Sequence, residues 1–269
     1  MRLKSSKEIR LTRMSYFATS ARSAVGLVRS GNEDSGLASS HLVAVADGMG
    51  GHAAGEVASK IAITTLSELS AIFTNPEIDS ESADDIYLNA SHEIDQALKV
   101  EVAENPQLAG MGTTLTSLFL RDNSVALLHI GDSRAYRLRG NSFEQLSVDH
   151  TVIQELLNQG AISESDIATH PQRSVLTQVL MGEGNLELPL PVFEGKIKDR
   201  YLVCSDGLSS VLTDKEMKSL IKGKDRDEAV NALIDATYIN GAPDNVTVVI
   251  ADLVEEEQPT TTEKIGAAQ

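Results

Sequence analysis

The chain has 269 residues, 41% of them hydrophobic, enough for one large domain or two small ones around a sizeable core. Its formal net charge of −16 repels nucleic acid and anionic lipid, which excludes both as partners bound through general electrostatics. The single cysteine, Cys204, excludes an internal disulfide and a thiolate zinc site, and its apolar surroundings make it a core residue.

Met1 to Met14 reads as a loose, basic leader without the apolar stretch of a secretory signal. His41 to Ala46 is a short β-rich run ending at Asp47. A helix is expected from Gly55, where Ala58, Ala62, Leu66, Leu69 and Phe73 recur at helical spacing, with Asn75-Pro76 as its stop. A second helix is expected over about 84–104, with Tyr87, Ala90, Ile94, Leu98 and Val102 on one face. The period then shortens to that of strands. Runs at 113–120, 124–130, 135–138 and 143–146 are separated by turn signals and read as an antiparallel meander. Residues 150–159 look helical, and 160–173 form a polar, mobile surface segment. A buried strand is expected over 201–204, amphipathic helices over 214–221 and 225–238, and a last strand over 246–251. Glu255 to Gln269 reads as an acidic, disordered tail. The domain is therefore expected to span residues 15–254. Helix pairs are segregated from strand runs, which predicts α+β layers and not alternating βαβ units. No run approaches the roughly 18 apolar residues of a membrane span. A cytoplasmic location follows, either for this chain alone or for the soluble part of a longer, anchored protein.

Four aspartate-centred strings stand where strands become loops: Asp47-Gly48-Met49-Gly50-Gly51, Gly131-Asp132-Ser133-Arg134, Ser205-Asp206-Gly207 and Asp244-Asn245. Each alone fits an ordinary turn or helix cap. Four carboxylates that converge repel one another, and hard divalent cations such as Mg²⁺ and Mn²⁺ are the usual remedy. That pattern points to two-metal chemistry on a phosphate ester. The glycines between Gly48 and Gly55 let backbone approach a ligand closely. Just upstream, Arg29 in Arg29-Ser30-Gly31-Asn32-Glu33-Asp34 offers a planar fork that fits phosphate oxygens. A P-loop is excluded, because no Gly-Lys-Ser/Thr follows the glycines. None of the six histidines has metal-ligand spacing, and only His52, in the glycine loop, is placed near this site.

These motifs, with Gly112-Thr113-Thr114 and Asp244-Asn245-Val246-Thr247, resemble those of the metal-dependent protein phosphatase 2C family, particularly its compact bacterial members. The resemblance covers about Ser20 to Leu253. It implies a four-layer α-β-β-α sandwich, two antiparallel sheets flanked by helix pairs, with metals at one end. It implies roles too. Asp47 would bridge two ions of Mn²⁺ or Mg²⁺, and the Gly48 carbonyl would face one of them. Asp206 and Asp244 would hold the first, and Glu33 would act near the second. Asp132, with Asp206, would form a weaker third site. Arg29 would bind the substrate phosphate, with Asp34 and Asn245 in support. Residues 150–173 would form the variable flap.

Two departures stand out. Met49 sits where many eukaryotic members carry a proton-donating histidine. In the run from Arg173 to Gly182, Gln178 replaces a basic residue and Met181 lengthens the turn. The implied activity is hydrolysis of phosphoserine and phosphothreonine by a metal-bridging hydroxide, without a covalent intermediate. The implied partners are phosphoproteins, chiefly a serine/threonine kinase and its substrates, acted on by a monomer. Two other readings stay open: a phosphatase-fold binding or sensor module, and a hydrolase of small phosphate esters.

Overall fold

In a computed structural model, residues 15–51, 54–75, 77–184, 188–258 and 262–269 are described. The basic leader and His52 lie outside them. The chain opens with β1 (Tyr16–Ala24), β2 (Asp34–Ala38) and β3 (Leu42–Met49), followed by α1 (Ala54–Phe73) and α2 (Ser80–Glu104). The meander comes next: β4 (Gly112–Thr113), β5 (Leu115–Arg121), β6 (Ser124–Ile130), β7 (Arg134–Arg139) and β8 (Ser142–Gln145). Then follow α3 (Val152–Asn158), β9 (Val192–Glu194), β10 (Arg200–Cys204), α4 (Asp206–Ser209), α5 (Asp214–Ile221), α6 (Arg226–Ile239), β11 (Val246–Val254) and β12 (Glu263–Gly266).

The strands form two antiparallel sheets. One runs β1-β11-β10-β7-β8; the other runs β12-β2-β3-β5-β6-β9, with β4 paired to β3. Three apolar clusters lie between successive layers. Leu42, Ala44, Phe119 and Leu128 face the stripe of α1 and α2, including Ala58, Ala62, Leu66, Tyr87 and Ile94. Val43, Val45, Leu118, Val203 and Val249 fill the space between the sheets. Leu202, Val248 and Ile250 meet Met217, Val230 and Leu233 of α5 and α6. The alternation along β3, with Val43 and Val45 one way and Leu42 and Ala44 the other, is what period-two side chains require of a strand buried on both faces. The expected four-layer α-β-β-α sandwich is thus the fold. Phe73, Tyr87 and Phe119 pack with ring centroids 4.8–5.3 Å apart, and truncating a ring so buried costs roughly 3–5 kcal/mol.

Several expectations need correction. The second helix starts four residues earlier than expected, at Ser80, because the Asp79 side chain caps it by accepting from Ser82 N. Helix α3 begins at Val152, capped by Thr151; His150 stays outside it, bound to Gly131. The polar segment 160–173 contains a 3₁₀ turn over Glu164–Thr169. Strands β1 and β2, absent from the pattern, are present: β2 reads Asp-Ser-Gly-Leu-Ala, without a β-branched residue, yet all five positions are buried. The tail beyond residue 254 is not wholly disordered. Glu263 to Gly266 pairs with β2, and Ile265 and Ala268 are buried, so the domain extends past the expected boundary. Among the described residues no helix is long and apolar enough to cross a membrane.

Candidate active site

Strand ends deliver the carboxylates. Asp47 lies near the end of β3, directly opposite Asp34 in the β2–β3 register. The Gly112-Thr113-Thr114 string holds its backbone. Thr114 Oγ1 accepts from Asp47 N at 2.9 Å, while Thr113 Oγ1 and Thr114 N donate to Asp47 O at 3.0 and 2.9 Å. The same Thr114 meets the Asp132 turn. Its hydroxyl bonds Ser133 Oγ at 2.9 Å, and a Cβ on Gly131, at φ +102°, would stand 2.5 Å from Thr114 Cγ2. Glycine is therefore required at position 131, where these two loops touch.

Glu33 is locked against the glycine loop. Gly48 N donates to Glu33 O at 3.1 Å, and a Cβ on Gly48 would lie 2.0 Å from Gly55 O and 2.6 Å from Glu33 O. On the other side Glu33 N donates to Asn245 Oδ1 at 2.8 Å, and Asn245 Nδ2 donates to the carbonyls of Val25 and Gly31, each at 2.8 Å. One amide thus clamps the loop that carries Arg29. Arg29 Nη2 reaches Asp244 Oδ2 at 2.7 Å, with the guanidinium half exposed at the rim. Asp206 opens α4. The preceding Ser205 donates to Asp34 Oδ2 at 2.7 Å and accepts from Thr247 N at 3.0 Å, tying β10, β11 and β2 together.

The structure therefore brings Glu33, Asp34, Asp47, Asp132, Asp206 and Asp244 to one end of the sandwich, with Arg29 at the edge. Their electrostatics report the crowding. Burial, then Asp34, Asp206, Asp132 and Asp244, hold the Asp47 carboxyl well above the usual carboxylate range. Burial and then Asp244 raise Asp206, which is also in hydrogen-bonding reach of Asp47. Burial followed by Asp206 and Asp149 pushes Asp132 up to about 7. Burial raises Asp34 to about 7 against the pull of Ser205 and Thr247. Burial also raises Glu33, opposed by Arg29.

Among the described residues no three His, Cys, Asp or Glu side chains close on a common point as a compact ligand set. The donors nevertheless fit a hard divalent cation. All are oxygens, they repel one another, and the buried Asp34 Oδ1 has no hydrogen-bond partner. Mg²⁺ and Mn²⁺ are held by a few carboxylates and keep several waters, so a loose, water-completed set suits them.

Sequence reasoning missed the supports of this cluster. Arg134 grips Asp149 through two nitrogens, Nε at 3.0 Å and Nη2 at 2.7 Å, and so holds the Asp132 turn to the start of the flap. His150 accepts from Gly131 N through Nδ1 at 3.1 Å and stacks on His129, whose pKa burial lowers to about 4. Asp95, on α2, takes the amides of Met181, Gly182 and Gly184 at 3.2, 2.7 and 2.7 Å, pinning the lengthened turn after the flap. That turn lays Met181 beside Met49 over Gly112, where a Cβ would stand 2.9 Å from Met181 Cγ and 3.5 Å from Met49 Cγ. Asp95, between Ile94 and Gln96, reads as one more polar position on a helix and gave no signal. A cleft of about 880 Å³ opens from Asp132 and Asp206 between the flap residue Arg173 and Asp214 of α5.

A fold with two packed antiparallel sheets and aspartates gathered at one end defines a class, and comparison with known proteins gives its family. Residues 32–238 match the family described as Protein phosphatase 2C. The serine/threonine protein phosphatase PstP of Mycobacterium tuberculosis is 41% identical over 244 residues, 90% of this chain and 46% of that protein. The serine/threonine phosphatase stp of Listeria welshimeri is 35% identical over 84% of this chain and 92% of its own. The crystal structure of the M. tuberculosis phosphatase PstP/Ppp superposes with a TM-score of 0.82 at 40% identity, covering 88% of this chain and 98% of that one. A structure of the PstP catalytic domain in complex with 2 manganese ions gives 0.80 at 38% identity, covering 90% and 100%. The chain belongs to the protein phosphatase 2C family. It spans about half the length of the PstP relative it matches.

Proposed function

We propose that this chain is a metal-dependent serine/threonine phosphoprotein phosphatase. The observation that carries the reading is that Asp132, Asp206 and Asp244, brought from separate strand ends, lie close enough to the buried Asp47 to raise its pKa by repulsion, with Arg29 at the rim. Asp47, the Gly48 carbonyl, Asp206 and Asp244 would hold two central ions of Mn²⁺ or Mg²⁺, with Glu33 beside the second. Asp132 and Asp206 would hold a weaker third. The PstP catalytic domain with its two manganese ions supports the central pair. When bound, such ions lower the pKa of water and neutralise charge on phosphoryl oxygens.

The chain's own residues supply the rest. Arg29 spends one N–H on Asp244 and has further donors for a phosphate monoester. The clamp by Asn245 fixes where that guanidinium sits. The cleft of about 880 Å³ between Arg173 and Asp214 opens beside Asp132 and Asp206 and would take the peptide flanking the phosphorylated residue. Cys204 is buried in the core, and burial pushes its thiol up to about 12, so it does not serve as a nucleophile. Phosphoserine and phosphothreonine proteins, chiefly a serine/threonine kinase and its substrates, are the natural partners, met by a monomer.

Turnover of a phosphothreonine peptide, compared with small metabolite phosphates, with Mn²⁺ and after metal removal, tests the proposal. Mn²⁺-dependent hydrolysis that favours the peptide is expected. Hydrolysis that survives verified metal removal, or that is confined to small esters, overturns it.

A further inference from the structure

The segment that sequence pattern marks as disposable touches the site from behind. Strand β12 pairs antiparallel with β2, placing Gly266 opposite Ser35 and Ile265 opposite Gly36. Strand β2 begins at Asp34, immediately after Glu33, and its other edge is paired to β3, with Asp34 facing Asp47. It is therefore the strut that sets Glu33 and Asp34 relative to Asp47. Without β12 it would be the edge of its sheet.

We propose that residues 263–268 are a positioning element for the Glu33–Asp34 corner. Docking of β12 raises the affinity of the site for divalent cations, and a bound cation tightens the docking of β12 in return. The proposal rests on the reading of Glu33 and Asp47 as residues that face metal.

Three contacts carry it. Ala267 N donates to Asp34 O at 2.8 Å, so the tail holds the backbone of the residue whose carboxylate is held by Ser205. Gly266 has φ +70°, and a Cβ there would stand 2.2 Å from Asp34 O and 3.0 Å from Ser23 Oγ; the close approach needs glycine. Ile265, 4% exposed, fills the notch left by Gly36, where a Cβ would stand 2.8 Å from Ile265 Cγ1. Ala268 then enters the core shared with α1 and α2. A cleft of about 430 Å³, lined in part by Arg22, Asn32 and Glu56, runs beside Gly266 and Ala267. Affinity coupled between two sites is reciprocal by thermodynamic necessity, and partners that orient metal ligands are typically worth 10–100-fold in affinity.

Calorimetric titration with Mn²⁺ of the full chain, of a chain ending at Gln258 and of Ile265→Ser tests the proposal, together with hydrogen exchange at the Ala267 amide. The shortened chain is expected to bind Mn²⁺ about tenfold more weakly at its tightest step, and a peptide of residues 259–269 added in trans is expected to restore it. In the full chain, Mn²⁺ is expected to slow exchange at Ala267. Unchanged Mn²⁺ affinity with only a lower melting temperature makes β12 a mere edge cover and overturns the proposal. If the shortened chain does not fold, Ile265→Ser and exchange in the intact chain decide, and exchange that ignores Mn²⁺ overturns it. A full chain that binds no Mn²⁺ at all fails the phosphatase reading instead, a separate result.

Discussion

Asn245 is 4% exposed, and its side-chain amide has every hydrogen committed. Its oxygen accepts from Glu33 N, and its two N–H groups go to the carbonyls of Val25 and Gly31, all at 2.8 Å. Asn245→Ala removes three hydrogen bonds at once and deprives a donor and two acceptors of their partner. At roughly 1 kcal/mol for each orphaned group, the loss is about 3 kcal/mol. For a domain of this size that lowers the melting temperature by roughly 6–12 °C. The same change frees the segment between Val25 and Gly31 that carries Arg29, so kcat/KM on an aryl phosphate should fall along with stability. Asn245→Asp keeps the acceptor, loses both donors and sets a second carboxylate beside Asp244, so it should do no better than alanine. Scanning calorimetry and steady-state kinetics at saturating Mn²⁺ measure both effects. An alanine variant that melts within about 2 °C of the parent, with unchanged kcat/KM, would refute the clamp.

Arg29→Ala should leave Mn²⁺ binding largely intact and cut kcat/KM on an aryl phosphate about ten- to a hundredfold, the worth of a charged hydrogen bond; unchanged kinetics would remove Arg29 from the site. Asp132→Ala should lose only the weakest Mn²⁺ binding event in calorimetry and much of the turnover, and loss of all metal would place Asp132 with the central pair. The raised carboxylates also set a pH dependence. Asp34 and Asp132 titrate near 7 in the folded protein and near 4 when unfolded. Between those values the folded state binds more protons, so stability falls as pH rises. Protein dialysed free of metal should melt higher at pH 5 than at pH 7.5, and Mn²⁺ should reduce the difference; a metal-free melting temperature that climbs over that range contradicts the assignment.

The site was legible where chemistry restricts residue choice. An aspartate at a strand end, followed by a glycine that must let backbone pass within van der Waals contact, leaves a short string that few other roles require. Gly48 and Gly207 show why: a Cβ on Gly207 would lie 1.8 Å from Asn245 O. The stripe of α1 was legible because its buried face repeats every helical turn. Strand β2 was hidden because its burial comes from neighbours on both edges, while Leu37 is its one large apolar side chain and the rest are small or polar. The tail was hidden for a related reason. Only Ile265 and Ala268 are apolar anchors, and Ile265 fits because Gly36, more than 220 positions earlier, offers the notch. The Asp149 and His150 supports act through pairings with Arg134 and Gly131 that exist only once the meander has folded.

The order of strands in the first sheet has a consequence for how the protein is made. Strand β11 lies between β10 and β1, which precedes it by more than 200 residues. A growing chain cannot close that sheet until β11 has been synthesised, and Asp244 and Asn245 immediately precede it. Pairings this distant along the chain form late and slowly. The aspartate cluster therefore stays incomplete until then: a chain cut short before β11 lacks both the last carboxylate, Asp244, and the Asn245 amide that holds the Arg29 loop in place. The site is assembled in full only after the domain is essentially complete.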